Sequence, residues 1–370
     1  MTYPGAGDEP YLGPPPTRRP ERWESAPTQW QPAPGPVLWG QPAPPPPPPP
    51  VMRWAPPPGT PPHDVPQPYL LAMRSRDWAW WRPLLGLLLL GVVYLVAATV
   101  VVVLTLATGV GPDFAQMDLA DPLTLLFTNL SLIVAIPVVW LAWITAHGMS
   151  GSWSSSVLAR LRWRLVLPYS LMALGTLGVG IGLSVLAGFL VGEEQVTGPV
   201  ASFGWLLLVV LLTTPLQSAA EEYLFRGYLS QSIAAWVRHP VAGAVLAGVV
   251  TAALFSAAHL PADVPTFLDR FAFGLAASAV VWLTGGLEAA IVLHAVNNVL
   301  VFVLAGALGE GVATEQVPPG TGLVFLLVSL VSVAAYVAVV GRSRRRLRTE
   351  KHTAALDLRT PGVPVPVTAG

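Results

Sequence analysis

Cysteine is absent from this chain of 370 residues. That removes disulfides, thiolate metal sites and a cysteine nucleophile together. Lysine occurs once, at Lys351, and arginine supplies the other nineteen cations. Charge is scarce as well. Only 11% of residues are charged and 53% are hydrophobic, whereas about a quarter of a soluble domain is charged. So little charge cannot solvate a globule this long, so lipid must be the solvent for much of the chain. The net charge is zero and no basic stripe with interleaved aromatics occurs, which argues against a nucleic-acid partner. The opening residues, MTYPGAGDEP, lack the basic start and apolar run of a secretory signal peptide. Insertion is therefore expected through the first membrane helix. Abundant Ala, Val, Gly and Pro with almost no lysine fits the coding bias of a high-GC bacterium.

What is plentiful at the start is proline. Twenty-five of the 40 prolines lie in the first 70 positions, with an unbroken run from Pro44 to Pro50. Proline has a fixed φ and no amide proton, so such a stretch builds neither helix nor sheet. Residues 1–77 are expected to be a disordered, polyproline-II-like cytoplasmic tail. Composition supports two uses for it, a solubilising tail or a docking strip for a polyproline-binding partner.

Beyond the tail the chain becomes a series of apolar runs. A membrane span needs about 20 such residues, and runs of this kind lie near 84–108, 122–145, 165–191, 203–220, 241–260, 270–285, 287–308 and 321–340. The fourth is expected to continue into 221–237, and Gly285 and Gly286 make a very tight turn between the sixth and seventh. The expected fold is all-α, a polytopic bundle of about eight membrane helices over 78–341, followed by a basic cytoplasmic tail over 342–370.

The loops supply an independent check, because arginine collects on the cytoplasmic side. Arg74, Arg76 and Arg82 precede the first span, and Arg160, Arg162 and Arg164 lie between the second and third. Arg238 follows the fourth, and RSRRRLR from Arg342 to Arg348 follows the eighth. Alternate loops carry Asp113, Asp118 and Asp121, then Glu193 and Glu194, then Glu310 and Glu315. Only Arg270, beside Asp269, breaks the alternation. Eight spans in a cell membrane with both termini cytoplasmic satisfy it. Trp78, Trp80 and Trp81 fit an interfacial belt among the membrane lipids, and WSSSVLARLRWRL from Trp153 fits a basic amphipathic surface stretch.

Ionisable groups inside a bilayer cost roughly 2.5–3.5 kcal/mol each on insertion scales, so each asks for a reason. Here they gather in three clusters. SAAEEYLFRGYL holds Glu221, Glu222 and Arg226. Glu222 and Arg226 are four apart and share a helix face, while Glu221 is turned about 100° away. One carboxylate is thus paired and the other free, the division expected around a general base. LFSAAHL holds Phe255 and His259 one turn apart. LHAVNN holds His294 and Asn298 on one face, with Asn297 turned away. A lone histidine in a membrane helix is commonly an interhelical hydrogen-bond partner; three polar clusters on different helices point to a shared site.

E-E-x-x-x-R, F-x-x-x-H and H-x-x-x-N, in that order on successive hydrophobic segments, resemble the motifs of the CPBP family. This family comprises CAAX prenyl proteases and bacteriocin-processing or immunity membrane proteins, and is also called the Abi family. The resemblance spans about 200–305, with the motifs inside 217–300. It implies hydrolysis of a peptide bond in a membrane-associated protein or peptide. Carried over, Glu221 activates water, His259 orients it, His294 and Asn298 stabilise the oxyanion, and Glu222 with Arg226 braces the helix. Zinc held by Glu221, His259 and His294 is the alternative, since two histidines and a glutamate form a catalytic zinc set with one open position. No HExxH occurs and the ligands would come from three helices, so no cofactor is favoured. A proton-coupled transporter and an inactive scaffold recruiting partners through its tail are the competing classes. One tension attends the site: on straight helices Glu221 falls near the cytoplasmic end of its span and His259 far along the next. Tilt, or breaks at Pro215, Pro240 and Pro261, would have to bring them together.

Overall fold

The computed structural model describes residues 65–74, 78–108, 118–191, 197–309 and 321–354. Residues 1–64 of the expected Pro-rich tail, and with them its suggested partner site, lie outside the described residues. Among the described residues there is no strand, and eight helices are long and apolar enough to cross a membrane. They are α1 (Arg82–Ala107), α2 (Pro122–His147), α3 (Trp163–Leu190), α4 (Phe203–Val237), α5 (Pro240–Ala258), α6 (Val264–Thr284), α7 (Glu288–Leu308) and α8 (Gly322–Ser343). The protein is a multi-pass membrane protein of the all-α class.

Runs of Leu, Val and Ala become helices here because, without water, each backbone group must be satisfied inside its own segment. Their outward faces stay apolar: Leu88, Leu95, Leu106 and Leu190 are exposed on the sides of the bundle, a surface suited to lipid chains. Interior contacts rely on small residues that let backbones approach. At the crossing of α5 and α6, a Cβ on Gly274 would meet Ala252 Cα and Cβ at 2.9 Å. Gly274→Ala should therefore lower stability by about 1–3 kcal/mol through overpacking, read as a lower unfolding temperature in detergent. Gly204→Ala, where a Cβ meets nothing within 4 Å, should leave that temperature unchanged or raise it.

One helix start differs from the hydropathy reading, and the expected continuation of the fourth span through 221–237 is present. α6 begins at Val264 rather than near 270, because Asp263 caps it by accepting from the Thr266 amide at 2.7 Å. Asp263 before the helix and Asp269 and Arg270 in its second turn hid this start. α4 is a continuous 35-residue helix, about 52 Å long at 1.5 Å per residue, against a hydrocarbon core of about 30 Å. It contains Pro215 and a π-helical turn at Phe225–Leu229. The chain reverses at Arg238, held in the left-handed region at φ +67°, and Pro240 opens α5.

Two further expectations are corrected at one end of the bundle. Tyr69–Arg74, assigned by composition to the disordered tail, is a 3₁₀ turn in which Tyr69, Leu70, Leu71, Ala72 and Met73 are buried. The stretch from Trp153, expected at the surface as a basic amphipathic stretch, is there only in part, with Arg160, Trp163 and Arg164 exposed. Ser154, Ser155, Ser156 and Val157 are buried, because their polar groups find partners inside, such as the Tyr223 hydroxyl at 2.7 Å from Ser155 Oγ. Arg162, also buried, grips Glu288 through Nε at 2.9 Å and Nη2 at 2.6 Å and donates from Nη1 to the Glu350 carbonyl at 2.9 Å. Pro68 forms an antiparallel bridge with His352, and the Thr353 amide donates to the Gln67 carbonyl at 2.9 Å. The segments before α1 and after α8 therefore sit at the same end, as an even number of crossings requires.

Candidate active site

The long α4 resolves the tension between Glu221 and His259. With the reversal at Arg238–His239, Glu221 lies about 17 residues before the turn and His259 about 20 after it. At 1.5 Å per residue both stand roughly 26–30 Å from the turn, so the α4–α5 hairpin brings them level. His259 Nε2 is 3.9 Å from Glu221 Oε2. α7 packs against the Phe203–Leu224 part of α4, and His294 Nε2 lies 3.8 Å from the same oxygen. The three clusters read from the sequence thus converge on one atom. Glu221 Oε2 is buried and has no hydrogen-bond partner of its own among the described residues.

Behind this point each histidine is held by its other nitrogen. His259 Nδ1 sits 2.7 Å from the Phe255 carbonyl. A carbonyl can only accept, so Nδ1 carries the proton and Nε2 presents a lone pair toward Glu221. The last turn of α5 is fixed in addition by Arg270, whose Nη1 donates to the His259 carbonyl at 3.0 Å. His294 Nδ1 is 3.0 Å from Glu222 Oε1, and the same oxygen accepts from Arg226 Nη1 at 3.0 Å. Arg226 is fully buried, donates from Nη2 to the Gly274 carbonyl at 2.9 Å, and lies over the Phe255 ring at 5.0 Å. The i, i+4 pairing of Glu222 with Arg226 is present as the helix spacing predicted. Phe255 packs between the two histidines, with ring centroids 4.5 Å from His259 and 5.5 Å from His294.

Asn298 reaches the cluster indirectly. Its Nδ2 donates to Gln217 Oε1 at 3.5 Å, and Gln217 Nε2 donates to Glu221 Oε1. Gln217 was missed in the sequence, although Q-x-x-x-E places it one turn before Glu221 on the same face. Asn297, expected to turn away, donates to Asn298 Oδ1 at 3.2 Å.

Two cavities meet at this cluster, and both are lined by Glu221 and His259. One, about 490 Å³, is otherwise almost wholly apolar, with Leu87, Leu90 and Gly91 of α1 and Leu224 and Phe225 of α4 in its wall. The other, about 460 Å³, is polar and adds Asn129, Gln217, Arg270, His294 and Asn298. Glu221 and His259 stand where an apolar chamber and a more polar one join.

A metal can be tested against the same atoms. The donor types suit zinc, and both imidazoles have the rear hydrogen bond common behind metal ligands. The spacing does not suit it: tetrahedral ligands at about 2.0–2.1 Å from zinc stand roughly 3.3 Å apart, whereas these gaps are 3.8 and 3.9 Å. Among the described residues no group of three or more His, Cys, Asp or Glu is arranged to hold a metal ion.

Comparison with known proteins finds likeness in the region that holds this cluster. An uncharacterized protein of Bacillus subtilis (strain 168), YyaK, is 25% identical over 226 residues, covering 58% of this chain and 72% of that protein. No solved structure matches. Residues 202–300, which contain every residue of the cluster, match the family described as type II CAAX prenyl endopeptidase Rce1-like. The segment from α4 into α7 is therefore similar to the Rce1-like type II CAAX prenyl endopeptidase family.

Proposed function

We propose that the protein is an intramembrane endopeptidase that hydrolyses a peptide bond of a membrane-associated protein or peptide with water activated by Glu221. One observation carries the reading: Glu221 Oε2, without a hydrogen-bond partner among the described residues, is faced by His259 Nε2 at 3.9 Å and His294 Nε2 at 3.8 Å. A polar gap of that width is the span of a bridging water. A water about 2.8 Å from both Glu221 and His259 would be approached at roughly 90°, close to the angle between its own two O–H bonds. It would donate one proton to each acceptor and leave an oxygen lone pair for the substrate carbonyl carbon.

In the reaction the water oxygen bonds to the carbonyl carbon and Glu221 takes a proton from it. The carbonyl oxygen becomes an oxyanion that accepts from His294 Nε2 and from Asn298 Nδ2. Collapse breaks the C–N bond, and Glu221 returns its proton to the leaving amine. For His294 to donate from Nε2 while Nδ1 donates to Glu222, it carries both protons. The cluster is then neutral, with Glu221 and Glu222 balanced by Arg226 and His294, as a site shielded from water requires. The apolar chamber suits a substrate group arriving from lipid, and the polar one suits the water that hydrolysis consumes. The arginine-rich loops support a cell-membrane location with both termini cytoplasmic.

Membranes holding the wild-type chain should be compared with membranes holding Glu221→Ala by quantitative peptide mass spectrometry. Uncut membrane peptides should accumulate only with the variant, and identical profiles would overturn the protease reading, leaving a carrier or scaffold. Zinc on Glu221, His259 and His294 is the competing reading, so the same cleavage should be measured after exhaustive chelation. Retention of the wild-type rate is expected; loss of activity restored by zinc would replace the metal-free mechanism.

A further inference from the structure

We infer that Asn297, Asn298 and Gln217 form a one-way relay of side-chain amides ending on Glu221, with Gln217 and Asn297 acting as positioning residues. This rests on Glu221 being the base. Counted back from the carboxylate, each orientation follows from the one before. An ionised carboxylate only accepts, so Gln217 presents its NH₂ to Glu221 Oε1 and turns its carbonyl away. That carbonyl takes Ser218 Oγ at 3.3 Å and Asn298 Nδ2 at 3.5 Å, which turns the Asn298 carbonyl toward Asn297 Nδ2 at 3.2 Å. Three amides from α4 and α7 thus point their donors in one direction.

Two consequences follow for the reaction. With Oε1 capped by a buried neutral donor, Oε2 is the only carboxylate atom left to take a proton, and it is the one facing both histidines. Asn298 uses one amide hydrogen on Gln217 and keeps the second for the oxyanion, so base and oxyanion donor are held in register through a single glutamine. A glutamine present only for packing would need neither the polarity of the chain nor its end on Glu221.

The test is a double-mutant cycle on the purified full chain in detergent, using a peptide identified by the wild-type versus Glu221→Ala comparison. Gln217→Met keeps volume and removes both hydrogen bonds. It should lower kcat about 10- to 100-fold with KM within about twofold, as expected when a hydrogen bond to a charged group is lost. Asn297→Ala should lower kcat about fivefold, the scale of a neutral hydrogen bond. In the Gln217→Met background, Asn297→Ala should have no further effect, because the relay is already cut. Independent, multiplying effects would overturn the relay, as would Gln217→Met with wild-type kcat. Should Gln217→Met fail to fold, the cycle is run with Gln217→Leu, and with Asn297→Ala against Asn297→Ser, which keeps a donor and should stay near wild type. Glu221→Ala cleaving like wild type defeats the base reading itself. Glu221→Ala inactive with an additive cycle defeats only the relay.

Discussion

Exchanging Glu221 for glutamine should lower kcat by about 10²- to 10⁴-fold, the range a general base supplies, with little change in unfolding temperature. The replacement is isosteric. Its carbonyl can still accept from Gln217, and its new NH₂ faces the Nε2 lone pair of His259. What is lost is the only oxygen able to take a proton from water. Glu222→Gln should behave in the opposite way. Glu222 Oε1 accepts from both Arg226 and His294 at 3.0 Å, and removing its charge leaves a buried guanidinium uncompensated. That variant should unfold at a clearly lower temperature. Cleavage rates by product mass spectrometry, set beside thermal unfolding of the same preparations, separate the two glutamates. A Glu221→Gln enzyme with more than about a tenth of the wild-type rate would remove Glu221 from the base role.

That two adjacent glutamates divide in this way was legible from helix geometry alone. Positions 222 and 226 share a face, and 221 does not. The eight crossings were legible for a similar reason, since long apolar runs have few alternatives to a helix in lipid. The sequence also carried the order of the three polar clusters and, through Phe255 and His259, the turn that fixes one imidazole.

Other features depended on facts that hydropathy does not record. The start of α6 is flanked by charge, Asp263 as its cap and Asp269 with Arg270 one turn in, so an apolar window starts too late. The meeting of Glu221 and His259 depends on where α4 ends. A span taken to stop near 220 keeps the two apart, whereas a helix continued to Val237 makes them level. The continuation into 221–237 was expected from the sequence; what went undrawn is that it sets Glu221 and His259 level. Gln217 and Asn297 were passed over because neither is titratable, and attention to charge overlooks amides. The buried fate of Ser154–Ser156 and Arg162 was hidden for the opposite reason. A basic, serine-containing stretch reads as surface, and only the partners Tyr223 and Glu288, distant in sequence, offset the cost of its burial.

Arg226→Met should be among the most destabilising single changes outside the reacting atoms, at about 3–5 kcal/mol, the cost of stripping one partner from a buried ion pair. The side chain is fully buried and carries three functions at once. It neutralises Glu222, it donates to the Gly274 carbonyl at 2.9 Å, and it lies over Phe255, which packs on both histidines. Methionine keeps much of the volume, so the loss is electrostatic rather than a cavity. The double variant Glu222→Gln/Arg226→Met should recover a large part of that stability. A glutamine at position 222 still accepts from His294 Nδ1 and no longer brings a charge that needs a partner, and replacing both members of a buried pair is often nearly neutral. Unfolding temperatures of the two single variants and the double, measured in one detergent, give the coupling directly. Additive losses would mean that Arg226 contributes through packing alone. Cleavage should stay low in the double variant even where the fold returns, because a neutral amide at position 222 no longer holds the second proton on His294.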